Sequence, residues 1–476
     1  MSAEYPPGAD VGRILYLALD AGEEVLAAGA GSADAAATMQ AVALAAGLRE
    51  VDVDVNFTSL AITWAADRDS QPWTRRRMVL QRSLDYTRLI RVHRLLGQLV
   101  RGDVTAGTAA AGMARIRDSE YPYGRRTAEA GAAGLAGAVV LLLGGGPLGI
   151  VLAGVVTYAV LVVGRWTAAR GLPVFFGNAA AAAIVTAVAT GAYAVGLPVR
   201  PSLVVAGGIV ALLPSVAMLS AVQDALAGYV VTAAGRVVEV FVLLAGIASG
   251  VGLVLAVAVP LGVPLREISA EPAVAPLWMR LTGGALASAL FLLSVYAPPR
   301  LLVPAAAIGT TSGLVYAGGS LLGVQPLYAT AAAAVVAGTV AVVVAGRYDV
   351  PALVPAVAGF MPLLPGLALY RGMFQIVQGE TAVGIATVLG AIGVVTALAS
   401  GVVLGDLAAR RLRRLRRLWD RDSRAAAAPV DETAPVGGGG EPVPVHPRGR
   451  SRPSRFVGPS VALARLTGAR RRGEDA

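Results

Sequence analysis

The sequence predicts an α-helical polytopic membrane protein with about ten transmembrane helices, arranged as a 5+5 inverted repeat and preceded by a small α+β soluble domain. Three observations carry the prediction. The 476 residues are 56% hydrophobic and only 15% charged, against about 25% charged in soluble domains, and mean hydropathy is +0.67. The shortage of charge is concentrated between residues 130 and 405, where Ala/Val/Leu/Gly runs are interrupted by single arginines. A stretch in the first half of that region reappears 151 residues later.

Composition excludes several chemistries. With no cysteine there is no disulfide framework, thiolate metal site or cysteine nucleophile. The two histidines, His93 and His446, are too far apart in sequence to read as a zinc site. All 40 basic residues are arginine, which points to a GC-rich bacterial genome. Asp20, Glu23 and Glu24 stand where a signal peptide needs an apolar core.

Residues 1–127 hold 15 arginines and 15 acidic residues, the balance of a water-facing domain. Helical spacing of Val11, Ile14, Leu15, Ala18, Val25 and Leu26 predicts a helix over 11–30. A second helix starts at Ser32, an N-cap type residue followed by Asp34, and stops at Gly47. VDVDV (51–55) alternates with period two and reads with SLAITWA (59–65) as strands. A turn at Gln71-Pro72 leads to Arg75–Arg77, then helices over about 83–101 and 105–117. His93 reads as a surface residue of the first of these, and Arg75–Arg77 as a solvated turn near anionic lipid.

Ten hydrophobic segments follow: 130–146, 148–164, 174–197, 202–221, 238–261, 281–297, 301–321, 327–345, 352–370 and 382–405. Most approach the roughly 20 residues needed to cross about 30 Å of hydrocarbon. Within LVVAGGIVALLPSVAML (203–219) and LVPAVAGFMPLLPGLAL (353–369), an offset of 151 pairs Gly208 with Gly359 and Pro214 with Pro365. The same offset pairs Pro147 with Pro298 and AAAAIV (180–185) with AAAAVV (331–336). Five spans per repeat is an odd number, so the two halves face opposite ways, a design of secondary transporters. The domains are then 1–127, 128–262, 280–405 and an Arg-rich tail, 406–476. RRLRRLRR (410–417) after the last span, with Arg125 and Arg126 before the first, puts both termini in the cytoplasm of a multi-pass cell-membrane protein.

The N-terminal pattern carries Ala21-Gly22, Leu26, Gly29, Ser32, Gly47-Leu48 and Thr58-Ser59. With LLPSVAMLSAVQDALAG (212–228) and LLPGLALYRGMFQIVQGE (363–380), it resembles the bacterial threonine/serine exporter family over about residues 11–405. The resemblance implies export of L-threonine and L-serine driven by the proton gradient, and no enzyme activity. One departure stands out: Ser215 follows the first proline where Gly366 follows the second, and the family pattern has glycine.

A transport site for a zwitterion must satisfy a carboxylate, an ammonium and a hydroxyl away from bulk water. Broken helices supply unpaired N–H groups and free carbonyls for that task. Pro214 and Pro365 lie mid-span with Gly208 and Gly359 six residues earlier, and each proline frees the carbonyl four residues back, Val210 or Met361. The competing reading is a proline kink packed against neighbouring helices. Buried polar candidates are Gln223 and Asp224 after the first break, Gln375 after the second, and Asn178 at the start of the third span. Asp224, about 15 Å along a continuous helix from Pro214, is the candidate ammonium or proton site, set against a solvated loop acid near the interface. Glu239 is the second proton candidate. Asn178 reads more readily as a helix cap than as a ligand.

No cofactor is called for. GGG at 144–146 lacks the Lys-Ser/Thr of a phosphate loop, so direct ATP drive is not indicated. Arg410–Arg417 is expected to lie along anionic lipid as a helical extension of the last span, with no nucleic-acid reader beside it, and 424–476 to be a disordered tail. Two alternatives stay open. One is export of a small dicarboxylate, for which only Arg236 and Arg371 are cationic candidates. The other is a membrane-anchored enzyme or sensor acting through residues 11–127, where Thr58-Ser59 has no histidine near it in sequence.

Overall fold

The structure is a computed structural model describing residues 8–67, 69–79, 84–258, 261 and 275–426. It opens with α1 (Gly8–Ala27) and α2 (Ser32–Ala45), then β1 (Asp52–Val55), β2 (Ser59–Trp64) and β3 (Trp73–Met78), then α3 (Tyr86–Arg101) and α4 (Ala106–Arg117). The strands form an antiparallel sheet in the order β1-β2-β3. β2 sends Leu60, Ile62 and Trp64 into a core with Leu15, Leu19 and Leu26 of α1 and Met39 of α2. β3 is the element the sequence hides. Arg75, Arg76 and Arg77 sit on this strand, opposite Ile62, Ala61 and Leu60, rather than in a turn. Three arginines in a row erase the alternation that marks a strand. Arg77 has a structural role, pairing with Asp20 and, at 2.6 Å, with Glu23 of α1.

Among the described residues twelve α-helices follow: α5 (Arg125–Leu142), α6 (Pro147–Ala169), α7 (Val174–Ala194), α8 (Pro201–Ile209), α9 (Ser215–Leu226), α10 (Val230–Ala258), α11 (Leu277–Ser294), α12 (Leu302–Leu321), α13 (Pro326–Tyr348), α14 (Leu353–Phe360), α15 (Gly366–Val377) and α16 (Thr381–Ala426). Among the described residues seven helices are long and apolar enough to cross a membrane, or up to nine spans if the bent pairs α8/α9 and α14/α15 each count as one. Each of the ten hydrophobic segments therefore coincides with a helix or a bent pair. The remaining segment, α5, opens with Arg125, Arg126 and Glu129 before turning apolar. Val151, Val155, Tyr158 and Val162 make an exposed apolar stripe down α6, each 42–62% open. A stripe of that kind is a liability in water and the expected surface in lipid. The protein is a polytopic membrane protein.

Small residues set the helix crossings, as membrane bundles require. A Cβ on Gly283 of α11 would stand 2.5 Å from the Leu142 backbone nitrogen of α5 and 2.9 Å from the Ala138 carbonyl. Backbone cannot step aside as a side chain can. Gly283→Val is expected to lose about 1–3 kcal/mol through overpacking, read as a lowered thermal midpoint in detergent.

The N-terminal elements dock on the helices at two places. Along α3, Tyr86, Leu89 and Ile90 join one core with Phe291, Val295, Leu301 and Val350. The Tyr86 N–H donates to the Val295 carbonyl at 3.1 Å, the Thr87 hydroxyl to the Tyr296 carbonyl at 2.5 Å, and Arg94 to the Tyr348 carbonyl at 3.0 Å. His93 lies in this seam, half-buried rather than on open surface; burial draws its imidazole pKa down, opposed in part by the Asp349 carboxylate. The second docking place is the candidate site.

α16 runs on to Ala426, the helical extension expected of the last span. Arg411 is exposed; the other side chains of Arg410–Arg417, and the tail beyond Ala426, lie outside the described residues.

Candidate functional site: two bent helices and a buried ion pair

Both bent pairs are built alike. α8 ends at Ile209, a 3-10 turn covers Val210–Leu212, and α9 begins at Ser215, with a bend of 61°. α14 ends at Phe360, a 3-10 turn covers Met361–Leu363, and α15 begins at Gly366, with a bend of 48°. The 3-10 turns and the second helices are related residue for residue by 151 positions. Proline dictates the break: it lacks an N–H, and its ring drives the preceding residue out of the helical region. Leu213 (ψ 127°) and Leu364 (ψ 135°) are extended accordingly. A new helix then starts with first-turn N–H groups that no intrahelical carbonyl can take.

The freed carbonyls differ from expectation. Val210 accepts the Leu213 N–H at 3.3 Å, and Met361 accepts the Leu364 N–H at 3.4 Å. The 3-10 turns recapture one lone pair of each, leaving one for a ligand. Gly208 and Gly359 are buried packing positions: a Cβ on Gly208 would meet Val185 Cγ1 at 2.6 Å, and one on Gly359 would meet Ile308 Cγ2 at 2.3 Å. Ser312 also donates to the Gly359 carbonyl at 2.9 Å. The two breaks meet each other, since a Cβ on Gly366 would lie 3.3 Å from Leu213 Cδ1 and 3.9 Å from the Ala206 carbonyl.

Asp224 is not a solvated loop acid. It lies inside α9, fully buried, with its Oδ2 2.9 Å from Nε of Arg236, itself 1% exposed. The turn between α1 and α2 closes over both. Its Ser32 N–H donates to Asp224 Oδ1 at 2.6 Å and its Ser32 hydroxyl to Oδ2 at 3.2 Å. Arg236 Nη2 donates to the Ala30 carbonyl at 3.1 Å, and the Ser220 hydroxyl donates to the Gly29 carbonyl. Ser32 is therefore not the N-cap of α2. Gly31 holds that position without a side-chain cap, and Asp224, 192 residues away, supplies the carboxylate that the helix N-terminus attracts. Gly29 takes φ +87°, and a Cβ there would fall 2.4 Å from Val216 Cγ1, so glycine alone lets the turn seat this deeply.

The other expected site residues are spread out. Gln223 faces the same turn, 3.8 Å from a Cβ placed on Gly31. Gln375 on α15 accepts from Thr387 of α16 at 2.8 Å. The 151-residue offset converts Asp224 into Gln375 and Arg236 into Thr387, so the ion pair of the first half has a neutral counterpart in the second. Glu239 lies half-buried on α10, three residues beyond Arg236. Asn178 is not a cap: Pro173 takes that position, and the Asn178 amide donates to the Leu243 carbonyl at 3.4 Å, tying α7 to α10.

Arg236 and Ser32 are read from the sequence in other roles, a cation for a dicarboxylate and a helix cap, and the structure places both on Asp224. Arg236 reads as a loop arginine because hydropathy starts the fifth span at 238, whereas α10 begins at Val230. An apolar groove of about 390 Å³ between α5, α6 and α11, lined by residues such as Ala133, Gly137, Ile150 and Leu286, offers nothing to a charged solute. Among the described residues no group of three His, Cys, Asp or Glu could hold a metal ion.

Comparison with known proteins agrees with the two-part layout. Residues 16–258 match the family described as "Putative threonine/serine exporter", and residues 281–408 match that described as "Threonine/Serine exporter, ThrE". The chain is 36% identical over 409 residues to the "Probable threonine/serine exporter" of Mycobacterium tuberculosis, covering 84% of this chain and 77% of the relative. It is 31% identical over 411 residues to the "Threonine/serine exporter" of Corynebacterium glutamicum, covering 85% of this chain and 84% of the relative. No solved structure matches. These relatives are transporters, so the enzyme alternative falls, and the chain belongs to the threonine/serine exporter family.

Proposed function

We propose that the chain exports L-threonine and L-serine across the cell membrane as a secondary transporter driven by the proton gradient. The observation that carries the reading is the pair of proline-broken helices, alike residue for residue at an offset of 151, whose breaks touch through Gly366 and Leu213. The start of α15 lies against the first break, and each break carries an α-helix N-terminus and a partly free carbonyl, the donors and acceptors a zwitterion needs. The substrate seam runs between the breaks, bounded by Pro214 and Pro365, with Gly208 and Gly359 setting the approach of α7 and α12. The halves are inverted, and alternating access rocks one against the other.

Docking supports ten crossings. Strict alternation through ten spans puts the α9–α10, α11–α12 and α13–α14 turns on one side, and the N-terminal elements touch all three. That side is the cytoplasm, shared by the arginines that close α16, which lie along anionic lipid. Asp224 and Arg236 stand at the cytoplasmic mouth. Asp224 receives the substrate ammonium and releases the coupling proton, with Glu239 on α10 the second acid; Gln223 and, on the far side, Gln375 supply neutral contacts, and Asn178 steadies α7 on α10. Arg236 is matched by Asp224 at 2.9 Å, which disfavours a dicarboxylate.

Vesicles loaded with labelled threonine test the reading. Efflux above empty vesicles is expected and should collapse with a protonophore. Asp224→Asn should cut it about tenfold or more, equivalent to about 1.4 kcal/mol on the barrier. Efflux equal to that of empty vesicles would sink the assignment.

A further inference from the structure

A buried ion pair is a weak way to hold two elements together. Desolvating both charges offsets most of their attraction, and neutral pairs of similar shape do as well or better. The second half of this protein shows the neutral solution: Gln375 and Thr387, at the positions equivalent to Asp224 and Arg236, make one 2.8 Å hydrogen bond between α15 and α16. The first half spends two full charges at the corresponding place, and the charges meet the turn that joins α1 to α2. What the turn presents there is specific. The Ser32 N–H points at Asp224 Oδ1 and the Ser32 hydroxyl at Oδ2, while the Ala30 carbonyl faces the Arg236 guanidinium. The turn thus presents a neutral N–H donor, a hydroxyl and a neutral carbonyl acceptor; a free hydroxy amino acid carries an ammonium, a hydroxyl and a carboxylate, the same donor and acceptor types with full charges.

We propose that Asp224 and Arg236 form a receptor for the ammonium and carboxylate of a hydroxy amino acid, and that the Gly29–Ser32 turn occupies it as an internal stand-in which cytoplasmic substrate displaces. The inference rests on the exporter reading and adds to it an entry site and a plug. Substrate ammonium replaces the Ser32 N–H at Asp224, the substrate hydroxyl replaces Ser32 Oγ, and substrate carboxylate replaces the Ala30 carbonyl at Arg236. The turn is suited to leave and return as a unit. Gly29 and Gly31 bracket it, α1 and α2 carry a core of their own, and the Ser220 hydroxyl on the Gly29 carbonyl adds one neutral hydrogen bond to the hold of the ion pair and packing. A small free ligand then competes with a tethered one, so the mouth opens when cytoplasmic substrate is high, a population shift between two discrete states.

The absence of natural cysteine makes this measurable in the full-length chain. Ala30→Cys keeps the carbonyl, Ser32 and both charged residues, and position 30 is 4% exposed with the turn seated. Its reaction with a water-soluble maleimide is expected to accelerate several-fold when threonine or serine is added, and to ignore lactate, which lacks the ammonium. The second arm is a lock outside the receptor. A Cβ on Gly235 would stand 3.5 Å from Phe57 Cβ, within the roughly 3.5–4.5 Å a disulfide spans. Oxidised Phe57→Cys/Gly235→Cys protein is expected to stop exporting threonine and to resume on reduction. Labelling indifferent to threonine in protein that exports it, or a cross-linked protein exporting at its reduced rate, would overturn the plug. Absence of threonine efflux from the wild type would strike the exporter reading instead, so the two failures are distinguishable.

Discussion

Arg236→Met with Asp224 left in place is expected to be the most destabilising single substitution at the site, by about 3–5 kcal/mol, because it strands a buried carboxylate without its cation. Ser32 would still donate two hydrogen bonds to Asp224, but neutral donors only partly offset a charge withdrawn from water. The measurement is the thermal or denaturant midpoint in detergent. Replacing both partners, Asp224→Leu with Arg236→Met, should recover most of that loss, since nothing charged is left to desolvate. Transport should follow a different rule. If the pair only clamps α9 to α10 and the α1–α2 turn, the double variant regains flux with its stability. If the pair receives the charges of the substrate, the stable double variant exports no more than the unstable single one. Recovery of both together would remove the functional role and leave a clamp.

Much of this arrangement is legible in residue order, and the part that is not has a physical reason. Ten apolar segments are readable because hydrocarbon thickness fixes helix length, and each has become a helix or a bent pair. The proline breaks are readable because Pro214 and Pro365 carry the same neighbours at a constant offset, and the conformations of Leu213 and Leu364 follow from proline sterics alone. Burial of Asp224 is not readable. The groups that bury it, Gly29 to Ser32, lie about 192 residues upstream, and no local periodicity reports a contact at that separation. Arg236 hides for a related reason: hydropathy ends a span at a charge, so α10 appears to begin two turns late. The equivalence of Arg236 with Thr387 is invisible to a repeat search that matches like with like, because here the two halves diverge in chemistry while keeping their geometry. β3 hides under three consecutive arginines, because Arg75 and Arg77 share the face of Ile62 and Leu60 toward α1 yet are charged, so no apolar alternation marks the strand.

Gly366→Leu carries the other large expected effect, on flux more than on stability. A single carbon at Gly366 already comes within 3.3 Å of Leu213 Cδ1 and 3.9 Å of Val210 Cγ2. Leu213 Cδ1 is the far end of a flexible side chain, so Gly366→Ala should be close to neutral, the leucine shifting by a few tenths of an ångström. Leucine adds three more heavy atoms against Leu213 and Val210 at this buried position, at about 1–3 kcal/mol of overpacking. The position has more than packing at stake, because it is where the first turn of α15 meets the break between α8 and α9. A side chain wedged there covers N–H groups at the start of α15 and keeps the breaks from moving apart to admit a solute. Threonine efflux by Gly366→Leu is therefore expected to fall about tenfold or more, equivalent to about 1.4 kcal/mol or more on the rate-limiting barrier, with Gly366→Ala between the two. Gly390 on α16 provides the comparison, since a Cβ there meets nothing within 4 Å, and Gly390→Leu should leave midpoint and flux where they were. Should Gly366→Leu export threonine at the wild-type rate, the solute does not pass between the breaks, and the meeting of Gly366 with Leu213 is packing alone.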